Sequence, residues 1–457
     1  MMESERSGKA VKSMVSDMTK GNLTKEILVY ALPICLGSIF QQFYNLADAI
    51  IVGRILGTDA LAGVGSTTGL TFLIYSLANG LSNGFSVSVA QRFGAGDPEG
   101  LKRRFGNGIS LALIITAVLT MLFSAFCGPV LTLVKTPKEI YGYAYNYVIV
   151  CFAGLFCTVS YNYLAAHLRA VGDSRTPVIA LIAASFLNVG LDLLFVAVFS
   201  MGVAGAAFAT IISQLVSAVF LLFYIVRKVD MFRLKREHFR LSKDLSGEQL
   251  ATAVPMGIQG SVIAIGIMIV QAATNGMGTI YVAGSMAGNK LYGIMAAPID
   301  AVCQAMIPIA GQNYGAGKLK RIDQGLRRIM VLTWAAAALL IAIAVFLGKY
   351  MIGWFIDPSE TEVIRLGHQF LIYFVAGYGF LAIQLAYCFA LQGIGLAKYT
   401  IMSGILETAG RIAGAVFLTG WMGYTGVCLA LPLAWIFTSV YLLPVYYLKR
   451  GAISDRS

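Results

Sequence analysis

Charge is what this chain of 457 residues has least of. Asp, Glu, Lys and Arg together make up 12% of it, about half of the roughly 25% carried by an ordinary soluble domain, and that scarcity excludes a water-solvated globule. Only three histidines occur, His167, His238 and His368, and they are scattered. The seven cysteines, Cys35, Cys127, Cys151, Cys157, Cys303, Cys388 and Cys428, fall inside apolar stretches without the paired spacing of a metal site. They are read as packing residues, and no metal centre or cofactor is expected. The first 25 residues lack an apolar run followed by a small-residue cleavage site, so a removable signal peptide is not expected.

What the chain has instead is apolar length. Apolar residues make up 58% and the mean hydropathy is +0.76. Twelve runs are long enough to span a bilayer, near 27–52, 61–91, 107–127, 140–166, 177–199, 203–226, 249–272, 281–312, 329–348, 363–390, 400–420 and 424–447. The fold class is therefore all-α, an integral membrane protein of twelve transmembrane helices. The net charge of +12 does not form one patch that would suit nucleic acid. It is spread over alternate loops, as with Lys102, Arg103 and Arg104 after the second run and Arg233, Lys235, Arg236, Arg240 and Lys243 after the sixth. The intervening loops hold little beyond Arg54, Lys135, Lys138, Lys349 and Arg365. By the positive-inside rule both termini are expected in the cytoplasm of a multi-pass plasma-membrane protein.

The chain also repeats itself. "VAQRFGAG" at 89–96 resembles "IAGQNYGAG" at 309–317, "LRAVGDSR" at 168–175 resembles "LQGIGLAK" at 391–398, and "MGVAGAA" at 201–207 resembles "MGYTGVC" at 422–428. Pro33 corresponds to Pro255. Two six-helix lobes follow, 27–226 and 248–448, related by an axis along the membrane normal and enclosing a central cleft. They are joined by a basic cytoplasmic linker at 227–247 and flanked by cytoplasmic segments at 1–26 and 449–457. The linker is read as a basic surface, with anionic-lipid contact as the sharper alternative. The glycines of "QRFGAG" are read as tight turns, because no strand precedes them and the P-loop lysine spacing is missing.

Polar residues inside the apolar runs carry the functional reading. In "LGSIFQQFYNLADAIIVGR", Gln41, Tyr44, Asn45 and Asp48 share one helical face. The fifth run, "SFLNVGLDLLF", places Asn188 and Asp192 four residues apart, and the sixth brings in Thr210 after a glycine turn at 202–205. An unpaired carboxylate in a bilayer costs at least about 2.5 kcal/mol. Asp48 and Asp192 therefore ask for a proton or a small hard cation, with Asn188 and Thr210 as neutral oxygen ligands. A hydrogen-bonded helix-packing cluster is the alternative. In the second half, Glu407 and Arg411 are spaced to neutralise each other, as a structural pair or as substrate contacts. Asp300 is a further candidate contact, and Gln41, Tyr44 and Asn45 could also meet a substrate.

Taken together, "LADAIIVGRILGTDALAGVG" after a proline-bearing start, "QRFGAG" with "GQNYGAG", and "LNVGLD" resemble the MATE family of multidrug and toxic-compound extrusion transporters over nearly the whole chain. That resemblance implies export of organic cations and other amphipathic drugs or toxins in exchange for protons or sodium, by alternating access. It also implies that Asp48, Asn188, Asp192 and Thr210 form the cation-coupling site. Pro33 would let the first helix bend as Asp48 changes charge. The chain departs from some sodium-coupled members in having no carboxylate within "VPMGIQGSVIAIGIMIVQ" or the core of the tenth run. A monomer in contact with membrane lipids is expected. A lipid-linked saccharide flippase is the runner-up, and an integral-membrane enzyme is disfavoured, since no nucleophile, base and orienting group converge in the short outer loops.

Overall fold

The computed structural model describes residues 15–134, 136–354, 356–357 and 359–454. Lys135 and the outer parts of the two expected terminal segments, 1–14 and 455–457, lie outside the described residues. Among the described residues the chain is helical throughout, with no strand.

Among the described residues nine single helices are long and apolar enough to cross a membrane, and three bent pairs, each taken as one span, raise the number to twelve. In order the spans are Leu23–Leu56, Thr58–Ser66 with Thr68–Gly94, Pro98–Leu133, Lys138–Ala153 with Leu155–Ala170, Arg175–Val198, Gly202–Lys228, Lys243–Asn275, Thr279–Gly315, Leu319–Ile352, Thr361–Ala376 with Tyr378–Gly393, Lys398–Met422 and Tyr424–Gly451. Several outrun their apolar cores. The ninth, for example, begins at Leu319 and not near 329, adding nearly three largely polar turns to the expected 329–348, because the helix continues beyond its most apolar stretch.

The bends have local causes. The fourth and tenth spans turn by 49° and 48° at Gly154 and Gly377. The second turns by 42° at Thr67, where the Ser66 and Thr67 hydroxyls donate to the Gly63 and Val64 carbonyls, both at 2.7 Å.

The internal repeat is written into the backbone. Left-handed glycines come in pairs, Gly57 with Gly278, Gly96 with Gly317, Gly172 with Gly395 and Gly202 with Gly423, at offsets of 221 to 223. Gly96 and Gly317 have the same φ of +69°, a conformation only glycine adopts at little cost, and so the two "GAG" stretches are turns. The turn before the sixth span sits slightly earlier than expected. Ser200 and Gly202 carry the positive φ, whereas Gly205 is already helical, its bare Cα packed near Phe195. The two repeats also share a widened π-helical turn, Leu193–Val198 in the fifth span and Ala413–Leu418 in the eleventh.

The chain forms two compact units. Among the described residues, one holds 15–17 and 36–257 and the other 18–35 and 258–454. The change of unit was expected within 227–247. It falls instead inside the first and seventh spans, two residues beyond Pro33 and Pro255, so that 27–35 and 248–257 each belong with the opposite repeat. The core of the first unit gathers Phe85, Phe105, Phe152, Tyr163, Leu221 and Phe232. That of the second is built around Ile27, Met306, Tyr378, Trp435 and Tyr446.

The linker is docked on the first unit through its own short 3₁₀ turns, Asp230–Phe232 and Arg236–Phe239. Phe232 and His238 are buried. Asn107 of the third span is the hub. Its carbonyl oxygen accepts from Ser242 N at 3.1 Å and its amide donates to Gln249 Oε1 at 2.8 Å. Arg104 adds a two-point bond to Glu248, at 3.1 and 2.6 Å.

Candidate cation-coupling site

Four spans of the first unit bring polar side chains to one place. The first span supplies Tyr44 and Asp48, the fourth Tyr147 and Cys151, the fifth Asn188 and Asp192, and the sixth Thr210. Asn188 and Asp192 share a face because they are one helical turn apart. Both are buried, Asp192 fully.

Thr210 ties the cluster together. Its hydroxyl shares a hydrogen bond with the Tyr44 hydroxyl at 3.2 Å and accepts from Asn188 Nδ2 at 3.4 Å. With its amide nitrogen committed there, Asn188 is left with its carbonyl oxygen free. The carboxyls of Asp48 and Asp192 lie close enough to act on one another. Among the described residues, Asp48 Oδ1, Asn188 Oδ1 and both carboxyl oxygens of Asp192 are buried without a hydrogen-bond partner. Buried oxygens of this kind are normally satisfied. Four in one cluster, three of them carboxylate oxygens, could hold a positive species.

The structure thus brings together all four residues expected at the coupling site, with Tyr44. Gln41 and Asn45 lie on the same span but are exposed. Three neighbours were not anticipated: Tyr75 and Tyr147 converge on Cys151, which is buried beside Asp48. Tyr147 and Cys151 are four residues apart on the fourth span. That spacing was the available signal, masked by how often tyrosine and cysteine serve as packing.

In the second unit Glu407 and Arg411 engage one another, although Arg411 Nε has no hydrogen-bond partner among the described residues. Arg411 donates to Glu407 Oε1 at 2.5 Å and to the Ile263 carbonyl at 2.9 Å. Glu407 Oε2 accepts from Gln384 Nε2 at 2.6 Å, and Gln384 in turn accepts from Thr438 at 2.9 Å. Arg411 also borders a cavity of 170 Å³ with Gln271, Asn289, Tyr292 and Phe374 on its wall. Asp300 accepts from Gln304 at 2.6 Å and lies near Cys35, Cys303 and Tyr292.

Comparisons with known proteins agree with this architecture. The MatE family model matches twice, over residues 33–194 and 255–417. The "Probable multidrug resistance protein YpnP" of Bacillus subtilis (strain 168) is 31% identical, over 93% of this chain and 94% of its own. The "Probable multidrug resistance protein YoeA" of the same organism is 26% identical over 78% of each. Among solved structures, a MATE protein in complex with MaL6 superposes with a TM-score of 0.89 at 22% identity, over 96% of this chain and 99% of its own.

Proposed function

Because the chain belongs to the MATE family, as its two-copy family match and its 31% identity to a relative spanning its length establish, we propose that it is a secondary antiporter. It exports amphipathic cationic drugs or toxins in exchange for a proton or a sodium ion by alternating access, as a monomer in the plasma membrane with both termini in the cytoplasm. The observation that carries this reading is the Asp48–Asp192 pair with its unpartnered oxygens.

Two carboxylates in contact in an apolar setting repel each other, and one bound cation relieves that repulsion. A proton needs only the carboxyls. Sodium, a hard ion, would also take the free carbonyl of Asn188 and the Thr210 hydroxyl. Coupling follows when the cation and the drug each favour a different conformation, so that each displaces the other through shared linkage. Pro33, which leaves the Val29 carbonyl without its helical donor, gives the first span a place to flex. A saccharide-lipid flippase would need several free cations deep in the membrane. Arg411 is engaged by Glu407 and a backbone carbonyl, which favours the antiporter.

The test is dye efflux from proteoliposomes under pH and sodium gradients imposed separately. Efflux driven by one of them supports the proposal, and efflux indifferent to both refutes it.

A further inference from the structure

The cavity at the start of the ninth span is lined by basic residues and lies wholly within the second unit. Its volume is 570 Å³, and Asn22, Leu23, Arg321, Arg327, Arg328 and Val331 are on its wall. That is room for a ligand of moderate size. Asn22 caps the first span, accepting from Thr24 N at 3.0 Å and Lys25 N at 3.3 Å, so the helix terminus is already satisfied. Arg321 is equally committed. Its Nε donates to the Met18 carbonyl at 3.1 Å, and a terminal nitrogen donates to the carbonyls of Lys20 and Gly21. It builds the rim.

Arg327 and Arg328 are different. Both are exposed, and among the described residues neither guanidinium makes a hydrogen bond or ion pair. Nearby carboxylates are taken elsewhere. Asp323 is paired with Arg450 and accepts from the Tyr446 hydroxyl at 2.9 Å, and Glu26 has a partner of its own.

The repeat supplies an independent comparison. At an offset of 221, Arg327, Arg328 and Val331 correspond to Gly106, Asn107 and Ser110 of the third span. In the first unit that face is covered by the linker. The His238 carbonyl lies 2.4 Å from where a side chain on Gly106 would begin, Asn107 holds Ser242 N, and Ser110 donates to the Phe239 carbonyl at 2.8 Å. In the second unit the same face carries two arginines that form no ion pair among the described residues, beside a cavity. It then runs into exposed apolar surface, with Val331 65% and Trp334 51% exposed. A cationic niche opening onto an apolar strip suits an amphiphile with an anionic head.

We propose that this cavity binds the phosphate headgroup of an anionic membrane lipid, with Arg327 and Arg328 as its contacts and the Val331–Trp334 strip beneath an acyl chain. The proposal does not depend on the antiporter reading. The test is lipid retention by the full-length protein, extracted from nanodiscs of equimolar phosphatidylglycerol and phosphatidylcholine and read by native mass spectrometry. The wild-type protein is expected to retain phosphatidylglycerol selectively. R327Q/R328Q should lower that retention about tenfold, with R328Q alone intermediate, R327K/R328K close to wild type and the thermal transition unchanged. Equal retention by R327Q/R328Q overturns the proposal. So does a loss produced instead by R236Q/R240Q in the linker, which would move the contact there. Displacement of the lipid by inorganic phosphate as readily as by phosphatidylglycerol would also overturn it, marking a free-anion site.

Discussion

At the scale of single residues, the Asp48–Asp192 pair is set apart by what its oxygens lack. Asp48 Oδ1 and both oxygens of Asp192 make no hydrogen bond among the described residues, so replacing either residue by asparagine breaks no such contact and removes only charge. Asp48→Asn and Asp192→Asn should therefore insert and fold at normal levels, since loss of an intramembrane charge lowers the cost of burial. Each should reduce gradient-driven dye efflux to background, and full coupled efflux in both would place the cation elsewhere, with Asp300 next in line. Glu407 and Arg411 call for the opposite test, because each is satisfied by the other. Glu407→Gln or Arg411→Gln alone strands a buried charge and should cost about 3–5 kcal/mol of stability, whereas the double variant should recover most of it. Equal loss of transport in single and double variants, at equal stability, would mark a direct transport role. The clustering of these residues was largely legible in the sequence because carboxylates are rare in apolar runs and helical spacing groups them. Tyr75, Tyr147 and Cys151 were not, since neither residue type is rare in a membrane helix and only the packing of the spans shows which of them meet.

Elements hold together here through small residues as much as large ones. Gly80 and Gly84 on the second span, four residues apart, lie against Gly257 and Ala253 on the seventh. A Cβ on Gly84 would come within 2.3 Å of the Ala253 Cα, and one on Gly80 within 2.5 Å of the Met256 carbonyl. Close backbone approach of this kind is how membrane helices gain packing without a hydrophobic drive. Gly84→Val should push the two helices apart at a cost of about 1–3 kcal/mol, read as a lowered melting temperature in detergent. An unchanged melt would mean that the two helices do not pack this closely. The linker was expected as a basic surface, and its docking was hidden because it depends on Asn107, a single amide inside a long helix. Asn107→Ala leaves Ser242 N and Gln249 Oε1 without this partner and should cost about 1–3 kcal/mol. Faster proteolysis at 230–245 would report it, and protease resistance equal to wild type would show that the linker is held by other contacts. The π-helical turns after Asp192 and Ile412 had no sequence signal, because widening a helix by one residue needs no distinctive side chain.

For the molecule as a whole, the repeat was the most legible feature. Turn glycines recur at a nearly constant offset, and the backbone honours four such pairs. The division into units was less legible, since runs of polar residues mark loops whereas unit membership is decided by which helices the chain packs against, and the first and seventh spans change partners midway. Orientation rests on charge. The linker carries Arg233, Lys235, Arg236, Arg240 and Lys243, and holding such a cluster on the cytoplasmic side is what the positive-inside rule describes. A cysteine at Arg240, which is exposed, should react with a membrane-impermeant maleimide only when the inner face is accessible. A cysteine at Met201, 41% exposed in the turn before the sixth span, should react from outside in intact cells. The background is small, because six of the seven native cysteines are buried and Cys35 is half-buried. The two sites must label from opposite sides, since a single span, Gly202–Lys228, separates them. Labelling of both from the same side would remove that span from the membrane. Reversed labelling would turn the molecule over, placing the arginine-lined cavity on the outer side.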